Sequence, residues 1–269
     1  MRSLCGKAAK RLGHPVKLGC RVPSTPETAR RLGTDGVAWA REGLIDLLVP
    51  TPFWASCEFD MPIATWRRLL DGTRTTLAGG IEVRYHPFPG APARHMSAEL
   101  ATGAAMAVLK GGADAVYLFN YFGVGHGLAK QWGAERYNQV VKAMGSIETL
   151  DKLPRRHALT YRDVRAPGEP ADHALPATGI GCSFRIQTGP KPSPQRKVEV
   201  LFELKDVPAK PPRARVNGVR CPNPPRQDDK AFVYTVPAKA FADEAHVIAV
   251  EVADGKPVTI VRVEFAVGA

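Results

Sequence analysis

Hydrophobic and polar positions along the 269-residue chain change rhythm once, near residue 152. Before that point, short apolar runs alternate with segments of helical spacing. Val16–Val22, Ile45–Val49, a stretch from Thr75 to His86, and Ala115–Asn120 read as strands. Helical segments separate them: residues 2–13 with Leu4, Ala8 and Leu12 on one face, one opened by Ser24 or Thr25, one from Gly36 to Glu42, and one at Ile63–Leu70. Two more follow, capped by Ser97 with Leu100, Ala104 and Val108 aligned, and around Ala134–Met144. Strands that alternate with helices predict a parallel sheet covered by helices. After Leu153 the segments become short and extended: Gly181–Ile186, Val198–Leu204, Ala231–Val236, Val247–Val252 and Val258–Val263. In the second of these Val198, Val200 and Phe202 oppose Glu199, Leu201 and Glu203, the mark of an antiparallel β-sandwich. The predicted organisation is therefore α/β over 1–152 and all-β over 153–269.

The Thr75–His86 stretch carries the first candidate chemistry. With a period of two, Leu77, Ile81 and Val83 point one way, and Ala78, Gly80 and Glu82 the other. Small residues on the inside and a carboxylate at the end of the strand are the pattern of a β/α-barrel strand, whose reactive groups sit at the C-terminal mouth. Four β/α units are present, whereas a closed eight-fold barrel needs about 250 residues. The fold class expected is thus α/β plus all-β, about half of a TIM-type (β/α)8 barrel followed by an antiparallel β-sandwich.

Charge narrows the partners. The formal net charge of +11 is spread along the chain, with no Lys/Arg block, recognition helix or zinc-finger spacing, so nucleic acid is not an expected partner. The five cysteines are odd in number, widely spaced and without a C-x-x-C, so no disulfide framework or metal site is expected. Neither a phosphate-binding loop nor a dinucleotide fingerprint occurs, and no cofactor is expected. The start lacks an apolar signal core and no run has membrane length, so the chain as written reads as cytoplasmic, with the true start left open upstream.

Three runs carry a family resemblance: Gly19-Cys20-Arg21-Val22-Pro23-Ser24-Thr25-Pro26, Trp39 through Pro50, and Gly112 through Tyr121. They resemble the later half of the family 10-like glycosyl hydrolases. The C-terminal part is similar to the galactose-binding-like sandwich appended to such barrels, with Val216-Asn217-Gly218-Val219 as its turn. The resemblance implies that the four strands are the fifth to eighth of the barrel, so that the half present is the C-terminal half of a TIM-type (β/α)8 barrel. It puts Glu82 where retaining glycosidases of this fold carry the nucleophile, and implies a partner acid from the fourth strand.

Around Glu82 the sequence offers Arg21 and Arg84 as ion-pair partners or hydroxyl ligands, Trp54, Tyr85 and Tyr121 as stacking platforms for pyranose rings, and His86 and Asn120 as polar contacts. Glycoside hydrolysis calls for two carboxyl groups, and the loop residues Glu58 and Asp60 are candidates for the second, against a role in ordering the loop. Three readings stay open: glycosidic bond hydrolysis on a completed barrel, non-catalytic carbohydrate binding, or an inactive gene fragment. An open half barrel would expose two sheet edges and an apolar interior, so self-association through that face is expected.

Overall fold

The computed structural model describes residues 1–53, 56–122, 128–171, 173–222, 224–252 and 254–268. Its first half runs α1 (Arg2–Leu12), β1 (Gly19–Pro23), α2 (Pro26–Arg31), α3 (Gly36–Arg41), β2 (Leu47–Thr51), α4 (Ile63–Leu69) and β3 (Thr76–Glu82). A two-stranded ribbon follows, β4 (Arg84–Tyr85) with β5 (Arg94–His95), then α5 (Ala98–Lys110), β6 (Ala115–Phe119), α6 (Leu128–Trp132), α7 (Ala134–Ala143) and α8 (Ile147–Leu150). Strands β1, β2, β3 and β6 form a parallel sheet in chain order. Helix starts follow local chemistry. Thr25 caps α2 ahead of Pro26, Asp35 caps α3, and Ser97 caps α5, each by accepting an amide hydrogen from three residues on. Asp46, at the foot of β2, is a tie rather than a site: it accepts both guanidinium nitrogens of Arg2 at 2.7 and 2.9 Å and the Leu18 amide at 2.7 Å. Those bonds hold its carboxyl down to about 2.

Helix α5 departs from the one-faced pattern read for it. Ala98 and Leu100 through Val108 are all buried. One side lies on the parallel sheet, where a Cβ on Gly79 would come within 2.3 Å of Val108. The opposite side is covered by β7 (Arg155–Ala158), whose Arg156 carbonyl oxygen would be 2.1 Å from a Cβ on Gly103. Its small residues let two layers approach, so the helix is apolar all round for a packing reason. Gly103→Ala gains about 1 kcal/mol of helix propensity but forces this backbone contact apart. We expect a net loss of about 1–2 kcal/mol in urea unfolding. An unchanged midpoint would mean that β7 does not press on α5.

The second half continues with β8 (Ala177–Gly179), β9 (Gly181–Gly189), β10 (Val198–Leu204), β11 (Arg213–Val216), β12 (Val219–Arg220), β13 (Arg226–Asp228), β14 (Ala231–Thr235), β15 (Glu244–Glu251) and β16 (Val258–Val267). They form two antiparallel sheets, β13-β14-β10-β16-β7 with β8 alongside β16, and β12-β11-β15-β9. Residues of both sheets, among them Val200, Phe202, Phe265, Val216 and Ile248, share one buried cluster. The β16 pattern slips phase after Ile260 because the register with β10 shifts there, Arg262 facing Glu203 and Ile260 facing Leu204. Val261 is the extra residue of that bulge, which returns Val263 and Phe265 to the core. The β11–β12 turn needs left-handed backbone at both central positions, supplied by Asn217 (φ 48) and Gly218 (φ 78).

A polar cluster joins the two halves. Glu264 on β16 is buried and accepts from the Tyr85 hydroxyl at 3.0 Å, Arg156 at 2.7 Å and Arg262 at 2.9 Å. Arg262 also reaches Glu203 at 2.7 Å, and Glu203 is bound by Arg94 of the ribbon at 3.2 Å. No helix among the described residues is long and apolar enough to cross a membrane.

Candidate functional site

The parallel sheet sorts its side chains by parity. Cys20, Val22, Leu48, Leu77, Ile81, Val116 and Leu118 belong to the helix-side core. The alternate positions, Arg21, Thr51, Gly80, Glu82 and Phe119, therefore share the other face at the C-terminal ends of their strands. A Cβ on Gly80 would lie 2.2 Å from the Thr51 hydroxyl, which is why that position is glycine. Arg21 reaches from one edge strand to the other: its guanidinium lies 4.0 Å from the Phe119 ring centre, 4.8 Å from that of Phe53 and 5.7 Å from that of Tyr117. Between these edges Val49, Ala78 and Gly80 are buried, so rim side chains roof the middle of the face. Sequence reasoning missed Tyr117 and Phe119 as parts of this cage, although the parity of β6 was available to find both.

Glu82 ends β3 on that face and is buried. Its Oε1 accepts the Val83 amide at 2.8 Å. Desolvation pushes its carboxyl above the ordinary glutamate value; the Val83 amide, Arg21 and the Arg84 amide pull it back, and Asp163 pushes it further up. A residue this buried holds its proton more tightly than a solvated glutamate while keeping a guanidinium within electrostatic reach.

Two other carboxyls approach the same loop. Asp163 accepts from the amides of Phe53 at 3.4 Å and Ser56 at 3.5 Å, so it holds down the segment after β2. It comes from the stretch after β7, far along the chain, and no spacing signal pointed to it. Glu58 is buried, and desolvation pushes its carboxyl up to about 7 against the neighbouring Ser24 hydroxyl. Between them the Cys57 thiol is pushed up to about 12, first by burial, with the charges of Glu82, Glu58 and Asp163 adding to it. The charges of three carboxyls thus act on one loop residue. Asp60 instead turns outward and binds Arg185 at 2.7 Å.

The remaining expected residues are dispersed. Arg84 is exposed, and its carbonyl accepts the Cys57 amide at 2.7 Å. Tyr85 is buried with its hydroxyl on Glu264, so it serves the joint between the halves and presents no open ring for stacking. Tyr121 is buried as well; its hydroxyl donates to the Glu82 carbonyl at 3.3 Å and its ring meets Trp132 edge-on at 6.4 Å. A sequence places an aromatic at a strand end but cannot say which layer will close over it. His86 donates from Nδ1 to the Ala91 carbonyl at 2.7 Å, and its amide donates to Ser56 Oγ at 3.0 Å. Asn120 is exposed in left-handed backbone (φ 61), accepting the Phe122 amide at 3.0 Å through its carbonyl. Trp54 lies outside the described residues. Among the described residues no group of three or more His, Cys, Asp or Glu side chains could hold a metal ion.

Comparison with protein-family models finds no match, and comparison with curated proteins finds none either. Among solved structures the chain is similar to BuGH86wt in complex with neoagarooctaose, at TM-score 0.29 and 12% identity over 43% of this chain and 18% of that one. It is also similar to a β-porphyranase of glycoside hydrolase family 86 from the human gut bacterium Bacteroides plebeius, at TM-score 0.24 and 9% identity over 99% of this chain and 72% of that one. The chain spans about a fifth of the length of the first. At these scores the likeness carries no argument about substrate or mechanism.

Proposed function

We propose that the protein handles carbohydrate as a glycoside-hydrolase-like chain of the family 10-like kind. In this reading the parallel sheet is part of a (β/α)8-type barrel, and the antiparallel sheets form an accessory sandwich. The observation that carries it is Glu82: a buried carboxyl at the C-terminal end of a parallel strand, on the same face as Arg21 and Phe119. Hydrolysis would use Glu82 as nucleophile or base, with Arg21 setting its charge and a second carboxyl as proton donor. Glu58, whose charge acts on the same Cys57 thiol as that of Glu82, is the candidate, its carboxyl pushed up to about 7 by burial as a proton donor needs.

A hydrolysis screen over plant, algal and microbial glycans tests the reading, with Glu82→Gln as the paired control. We expect any glycan cleaved by the wild type to be spared by the variant, with kcat down at least about a thousandfold. Cleavage that survives in Glu82→Gln removes that residue from the chemistry. Non-catalytic carbohydrate binding is the second reading. It is favoured over hydrolysis by the Arg21 guanidinium over the Phe119 ring, which covers the face on which Glu82 is buried.

A further inference from the structure

The parallel sheet ends in two edge strands, and the sequence protects only one of them. Strand β1 begins beside the exposed Lys17 and Gly19 and ends on Pro23, which has no amide to offer. The other edge, β6, is Ala115-Val116-Tyr117-Leu118-Phe119, apolar throughout and without charge, glycine or proline. Among the described residues it pairs with β3 alone, and no hydrogen bond reaches its backbone from the other side. Each of its residues is half-buried, whereas β3 is buried from Leu77 to Glu82. The exposed Phe122 carries the apolar surface past the strand end. A regular, uncharged edge of this kind is a template for one more strand.

The strand that fits is the same strand of a second copy. Set antiparallel about a two-fold axis through Tyr117, Val116 faces the second copy's Leu118, and Ala115 faces its Phe119. Every cross-strand pair is then apolar, and small meets large at both ends. Val116 and Leu118 already pack on the helix-side core, so the pairing continues that core across the axis. Charge does not oppose it. Asp114, just before the strand, is paired with Arg67 at 2.7 Å and would lie beside the second copy's neutral Asn120. Joining β6 to β1 of another copy would use the blunted edge instead, and that contact is head-to-tail.

We propose that the chain forms a two-fold dimer through β6, joining two four-stranded sheets edge to edge. A two-fold axis perpendicular to the sheet keeps the two Arg21 and Glu82 faces on one side. Glu82 then lies one strand in from the axis, because its neighbour on β6 is Phe119. The inference gives the self-association expected from the sequence a definite edge. It rests on β6 and not on hydrolysis.

The test is sedimentation velocity on the full chain between about 1 and about 200 μM. Five residues from each copy make a small interface, so a monomer–dimer equilibrium with Kd of about 10 μM is expected. Over that range the outward amides of Ala115–Phe119 should exchange about fivefold more slowly at the high concentration, with those of β1 unchanged. Tyr117→Lys sets two ammonium groups opposite each other at the axis and should raise Kd at least about tenfold. Leu4→Lys, on the exposed surface of α1, should leave it unchanged. If Tyr117→Lys does not fold, amide exchange in the wild type decides. A monomer at the highest concentration, a dimer without slowed exchange in β6, or one that survives Tyr117→Lys overturns the proposal. So does loss in Leu4→Lys alone, which moves the interface to α1, and so does growth beyond two copies, which means head-to-tail joining of β6 to β1.

Discussion

Glu264→Leu should cost about 3 kcal/mol of folding stability, because it removes the shared acceptor of a buried cluster while leaving its donors in place. The Tyr85 hydroxyl and the Arg156 and Arg262 guanidinium groups all converge on that carboxylate. The loss falls at the low end of the range for breaking a buried ion pair for two reasons. Arg262 keeps Glu203 at 2.7 Å, and Arg156 is partly open to solvent. Because Tyr85 belongs to the first half of the chain and Glu264 to the last strand, the damage is directed at the joint. Urea unfolding should show a lower midpoint, and Tyr85→Phe in the same background should add little, its partner being gone already. A loss under about 0.5 kcal/mol for Glu264→Leu would show that water screens the cluster and that it does not hold the halves together.

The second large effect is the loss of stability on mild acidification, set by two imidazoles working against one carboxyl. His157 is fully buried with both ring nitrogens unpartnered among the described residues, and burial, Arg155 and His246 drive its pKa well below 6.5. His246 is held to about 4, chiefly by burial, with Arg155 adding to it. Its Nε2 accepts the Ala242 amide at 3.0 Å, so the neutral ring carries its proton on Nδ1, facing the Thr188 hydroxyl at 2.8 Å. For both rings the folded pKa lies below the unfolded one, so the unfolded chain takes up protons first and stability is lost as pH falls below about 6.5.

For His246 alone that loss reaches about 3 kcal/mol at pH 4. Glu58 has the opposite sign. Its folded pKa of about 7 exceeds the unfolded value of 4.5, so it withdraws stability as pH rises from about 4.5 to 7. Two groups outweigh one, so the melting temperature should fall between pH 7 and pH 4.5. His157→Leu should flatten that slope and Glu58→Gln should steepen it, the latter by raising stability at neutral pH. Asp46 contributes only further down, because its carboxyl is held to about 2 and its stabilisation is lost below pH 4. A wild-type melting temperature that rises on acidification would reverse the assignment of the two histidines as buried neutral rings.

The local signals in this sequence were strong because each depended on a few neighbouring residues. Thr25-Pro26 and Ser97 capped helices, Asn217-Gly218 made the tight turn, and alternation along Val198–Leu204 separated core from surface. The same alternation put Glu82 opposite Leu77 and Ile81, and chain order predicted the order of the parallel strands. These are properties of period and backbone conformation, which a stretch of sequence carries with it. Tertiary structure decided what lay across from each segment. Tyr85 and Tyr121 read as open platforms until the final strand and Trp132 closed over them, and α5 read as one-faced until β7 covered its outer side. Asp163 reached the loop after β2 from more than a hundred residues away, and Glu58 acquired its high proton affinity only through burial. Desolvation and long-range pairing depend on which surfaces meet, and a linear pattern holds no record of that.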